Sequence, residues 1–139
     1  MPRLVRGGKW VYGWVIPSLE RVLPIPIQAW RDYGFEAGEQ AIFLRGSRRS
    51  GGFSISTPRL LAGMFGGIGG LESRALGWGR FEEGRNVSTP LELALESGVH
   101  LLAVKGSRSG LGFVAQGPIY QTARLHPELE IFCVEESLT

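Results

Sequence analysis

Apolar residues along this chain come in short runs that end at glycine, proline or a basic residue. "AIFLR" (41–45) and "LLAVK" (101–105) are the clearest of them, partly β-branched and too short for a substantial helix. Each leads into a glycine-rich reversal and then a second apolar run, "FSIS" or "FVAQ", which predicts a hairpin in both places. Upstream of each hairpin stand Pro26 and Pro90, where a helix's first turn has no use for an N–H. Gly34 and Gly98 follow, where a C-cap wants a positive φ. That punctuation predicts two-turn helices over 27–33 and 91–97.

The two stretches are copies of one another. Gly46, Ser47, Arg48, Gly52 and Phe53 align with Gly106, Ser107, Arg108, Gly112 and Phe113, while Arg21, Pro26 and Gly34 align with Arg85, Pro90 and Gly98. The first copy has four extra residues within "FEAGEQ". Each copy reads as strand, short helix, strand, turn, strand. So little structure cannot bury a core alone, so the two must pack on each other. "AGMFGGIGG" (62–70) has no period and reads as a linker, with "TPRLL" before it as a short helix. "GPIYQTARLHPELEIFCVEE" predicts a helix near 118–125, a turn at Pro127 and a strand around 129–134. The expected division is a first repeat over 1–60, a glycine-rich linker over 61–77, and a divergent second repeat with a C-terminal extension over 78–139.

A hydrophobic content of 43% with 20% charge excludes wholesale disorder. No apolar run approaches the roughly 20 residues that cross a bilayer, and "MPRLVRGGKW" has no signal-peptide pattern, so the expected location is cytoplasmic, away from membranes. The net charge of +2 is unevenly spread. Residues 1–60 hold nine basic groups against four acidic, and residues 61–139 six against nine. The N-terminal half is therefore the one able to attract a polyanion, through arginines suited to phosphate and base edges.

Catalytic chemistry is sparse. His100 and His126 have no carboxylate at metal-pair spacing, the serines lack a G-x-S-x-G elbow, and no phosphate loop of Walker type occurs. The single cysteine, Cys133 in "EIFCVE", reads as a buried strand residue with no disulfide partner. Trp10, Tyr12, Trp14 and Trp30 have the spacing of core or subunit contacts rather than of a base-stacking platform. No cofactor or metal is expected, and no enzymatic activity.

At "LERVLPIPIQAWRDYGFEAGEQAIFLRGS" the sequence resembles the AbrB-type (MazE/SpoVT-like) swapped-hairpin DNA-binding domains. Arg21, Ile25, Pro26, Arg31, Gly34, Phe35 and Gly38 fall in the order of that family's signature. Glu20 stands where a glycine is usual, one extra residue separates the arginine from the Ile-Pro pair, and Glu39 stands where Asp is common. The resemblance covers residues 8–57 well and 78–116 more loosely. It implies a β-rich α+β fold in which two strand-helix-strand-strand repeats interlock into a swapped-hairpin, pseudo-dimeric barrel. It also implies a transcriptional regulator or antitoxin-like protein that binds double-stranded DNA. Arg6, Lys9, Arg21 and Arg31 would be groove and phosphate contacts, with Arg48 and Arg49 secondary contacts at the hairpin tip. Leu95 replaces Arg31 in the second copy, and Glu92 and Glu96 oppose a polyanion there, so a full two-fold site implies a homodimer or larger assembly. A toxin protein is a further partner of such antitoxins. Two other readings stay open: a non-DNA assembly module built on the same barrel, and a small anionic ligand held where the paired glycine-rich turns converge.

Overall fold

The structure, a computed structural model, describes residues 10–46, 51–62, 75–96, 98–106 and 109–134. The strands are β1 (Val11–Ile16), β2 (Val22–Pro24), β3 (Gln40–Arg45), β4 (Phe53–Ser56), β5 (Ala75–Glu82), β6 (Asn86–Ser88), β7 (Leu101–Lys105), β8 (Leu111–Val114) and β9 (Ile131–Cys133). Short helices α1 (Ile27–Tyr33), α2 (Pro58–Ala62) and α3 (Pro118–Ala123) join them. The strands form one nearly closed, barrel-like sheet in the order β2-β6-β5-β3-β4-β8-β7-β1-β9.

Apart from the two hairpins β3–β4 and β7–β8 and the β5–β6 pair, the ladders among the first eight strands join residues before 62 to residues after 75. β1 pairs with β7 through Gly13↔Ala103, Trp14↔Leu102 and Val15↔Leu101. The matching strand β5 pairs with β3 through Gly77↔Phe43, Trp78↔Ile42 and Gly79↔Ala41. Both ladders are bulged at the same place, between Val11 and Gly13 and between Phe43 and Leu44. Antiparallel β4 and β8 are centred on Ser54↔Gly112, and β2 and β6 on Leu23↔Val87. Two loop bonds repeat the correspondence: Ile25 N–H donates to Arg85 O at 2.8 Å, and Thr89 N–H to Arg21 O at 3.2 Å.

Helix α1 spans the residues that its flanking proline and glycine predict, with Gly34 in the left-handed region at φ 65°. Its counterpart is absent. Residues 91–96 form turns without a helix, because the missing four residues come out of the helix itself. Gly38 N–H donates to Phe81 O, and Gly98 N–H makes the equivalent bond to Pro17 O, so Gly98 stands where Gly38 does rather than where Gly34 does. The second hairpin turn is also the shorter. Arg45 pairs with Phe53 but Lys105 with Leu111, so the counterpart of Phe113 in the first copy is Ile55 rather than Phe53. The expected linker is narrower than 61–77, since α2 runs to Ala62 and β5 starts at Ala75; residues 63–74 lie outside the described residues.

The two halves differ at one edge. Gly79 lets the Ser88 carbonyl approach β5 more closely than any Cβ would permit, and the Ser88 hydroxyl accepts from Arg80 N–H. Val15 stands at the matching place in β1, whose outer edge is taken instead by β9 in parallel, through Trp14↔Ile131 and Ile16↔Cys133. Cys133 is consequently exposed on a three-residue terminal strand, not buried as expected.

Inside the sheet, Phe53 and Phe113 stack at 5.0 Å and Phe35 and Phe81 at 4.2 Å, among buried Leu23, Ile55, Val87 and Leu111. Outside it, Trp14 and Leu102 pack under Ala123 and Leu129 of the C-terminal extension. Of the N-terminal aromatics, Tyr12 and Trp14 are buried and Trp30 packs on the core, while Trp10 remains 39% exposed. Arg59 of α2 closes the C-terminus of α1, donating to Tyr33 O and Gly34 O and pairing with Glu39 at 3.0 Å. Tyr33 ties α1 to the second hairpin by donating to Gly110 O at 2.9 Å.

Burial, helped by the Asp32 carboxylate, pushes the Tyr33 hydroxyl from its ordinary value near 10 up to about 12. An unfolded tyrosine ionises first, so this contribution is complete below pH 10 and is lost as pH rises towards 12. Denaturant midpoints measured from pH 8 upward should therefore fall above pH 10. Tyr33→Phe should lose about 1 kcal/mol at neutral pH with its hydrogen bond, but decline less steeply in alkali.

Candidate nucleic-acid interface

Arg21 and Arg85 are the two non-glycine residues with positive φ among the described residues, at 64° and 60°, in the turns that precede β2 and β6. The strain marks a shared turn geometry rather than shared side-chain roles. The half-buried Arg21 guanidinium folds onto the turn of the opposite half. Its terminal nitrogen donates to Pro90 O (3.2 Å), Leu91 O (3.3 Å) and Leu93 O (2.5 Å), while Nε is enclosed without an acceptor. Its own carbonyl accepts from the Thr89 backbone and hydroxyl. Arg21, expected at a DNA groove, is placed as a clasp between the halves. Arg85 is exposed at the matching position.

Arg31 projects from the exposed face of α1 into a hollow of about 840 Å³ that is also lined by Tyr12, Asp32, Glu128 and Glu130. Asp32 accepts from the Tyr12 hydroxyl at 2.8 Å, and burial together with that bond holds the phenol protonated far above its ordinary range. A second hollow of about 480 Å³, beside Glu83, Arg85 and Cys133, adjoins the first, with Ile27 and Phe132 lining both. Four carboxylates thus face two guanidiniums along this groove. Around Arg31 the local field favours cations, which weakens the expectation that this arginine meets a phosphate. His126 lies within 2.6 Å of Glu128 and holds that carboxyl below its usual range.

The remaining expected contacts, Arg6, Lys9, Arg48 and Arg49, lie outside the described residues. Their surroundings can be located in part. Because β4 and β8 run antiparallel, the residues leading into the two glycine-rich turns sit at opposite ends of that ladder. Gly51 adjoins Gln116, while Ser109 O accepts from the Ser56 hydroxyl at the other end. Among the described residues, the flanks of the two turns are therefore not brought together. The groove was not anticipated, although the acid–apolar alternation "ELEIF" (128–132) carries its signal.

No family model, curated protein or solved structure matches this chain.

Removing the Arg21 clasp should cost about 2 kcal/mol, since charge-assisted bonds to three carbonyls go with it. Arg31→Ala should stay within about 0.5 kcal/mol of the parent. Urea unfolding of both variants checks the contrast.

Proposed function

We propose that this chain is a tandem AbrB-type barrel that binds double-stranded DNA as a transcriptional regulator or antitoxin-like protein of the cytoplasm, with no catalytic role. The observation that carries the reading is the crossed register. Each half supplies the strand that completes the other half's hairpin, as a swapped-hairpin pair of AbrB-like repeats would, and strained Arg21 and Arg85 stand at the family's turn in both. The family signature around "RVLPIP" supports the same assignment.

On this reading the contact surface is shifted from β2 and α1 towards the cationic segments. Residues 1–9 hold Arg3, Arg6 and Lys9, and residues 47–50 hold Arg48 and Arg49, with no carboxylate in either. Arg45 and Lys105, exposed at the ends of β3 and β7, add a cation beside each turn. A two-fold DNA site would take two chains, since the second copy offers fewer cations and carries Glu92 and Glu96. A toxin partner would use a surface other than these segments.

Binding to a pool of genomic duplexes, followed by fluorescence anisotropy from 50 to 300 mM salt, tests the proposal. Affinity should fall steeply with salt, and the double variant Arg48→Ala/Arg49→Ala should reduce the slope by about two while weakening all sequences alike. Absence of binding to any duplex at the lowest salt would sink it.

A further inference from the structure

We infer that the hollow between β1 and α3 is a binding site for a small planar molecule that carries one carboxylate, an aromatic acid. This goes beyond DNA binding and does not depend on it. Trp14 and Trp78 hold matching places in the repeat, Trp14 paired with Leu102 and Trp78 with Ile42. Trp78 is 44% exposed, whereas Trp14 is 8% exposed because the C-terminal extension packs over it through Ala123 and Leu129. That cover is incomplete. It leaves a hollow of about 510 Å³, lined by Trp14, by residues 98–100 and by α3 with the turn that follows it. Small-molecule sites have volumes of roughly 300–1,000 Å³.

The lining has an apolar part and a cationic part. Tyr120 and His100 meet the Trp14 indole edge to face, with centroids 5.1 and 6.3 Å away, and Leu129 and Ile131 extend the apolar wall, which suits a flat ring. Tyr120 is pinned there, since its hydroxyl donates to His100 O at 2.9 Å. Among the described residues no carboxylate lines the hollow, and Arg124 in its lining is exposed without an ion-pair partner. Glu128, the acid nearest to it in sequence, pairs with His126 instead. The indole N–H of Trp14, more than nine-tenths buried, also has no acceptor among the described residues. A donor left unpaired in so enclosed a ring calls for an acceptor from outside the chain, and a carboxylate answers it and the guanidinium together.

Indoleacetate is the probe, with indoleacetamide and hexanoate as controls, titrated into the isotope-labelled full chain and followed by nuclear magnetic resonance through its four tryptophan indole N–H signals. The Trp14 signal is the one that Trp14→Phe removes. It should move on titration while that of Trp78 stays, and the acid should bind at least about fivefold more tightly than either control. Arg124→Ala should abolish the preference over the amide, and Arg85→Ala, on the exposed turn before β6, should preserve it. No movement at Trp14, equal affinity for acid and amide, or a preference that survives Arg124→Ala would overturn the inference. Binding that appears only in Glu135→Gln/Glu136→Gln would overturn it too, by making the carboxyl-terminal residues of the chain itself the occupant.

Discussion

Phe53 lies on Phe113 across the β4–β8 ladder, and neither half of the chain can cover its own ring. The other structural facts depend on that mutual burial. Each hairpin is only two short strands, marginal in water by itself, and becomes stable when the opposite half adds β1 or β5 to its outer edge. The centres at Ser54↔Gly112 and Leu23↔Val87 then fix the register of everything between them, since a slip by one residue would turn the phenylalanines outward.

The halves have diverged where symmetry is not needed for the core. Loss of four residues removed the second helix, and the turn left at 90–93 is held by Arg21 instead of by helical hydrogen bonds. Glycine at 79 keeps Ser88 against β5, whereas valine at 15 goes with β9 on the other side. Among the described residues, these small exchanges leave the sheet open between β2 and β9. The acidic groove is thus a product of asymmetry imposed on a repeated plan, and no single copy of the repeat would contain it.

Much of this plan is legible in the sequence, because hairpins and caps are local. Proline at 26 and glycine at 34 bracket α1, and the runs at 41–45 and 101–105 are the strands they predict. What the sequence conceals is tertiary. The same Pro-to-Gly punctuation at 90 and 98 yields no helix, as Gly98 belongs to the later turn and too few residues remain before it. Arg21 and Arg31 look alike as exposed cations in a basic half. Only folding sets one beneath a turn from seventy residues away and the other among carboxylates from the C-terminal extension.

If the two halves share one core, they cannot unfold separately. Equilibrium unfolding followed by far-ultraviolet circular dichroism and by tryptophan fluorescence, with calorimetry alongside, measures this directly, because tryptophans 14 and 30 lie in the first half and 78 in the second. The interlocked sheet predicts coincident transitions and a calorimetric enthalpy equal to the van't Hoff value; two separated transitions, one for each half, would contradict it.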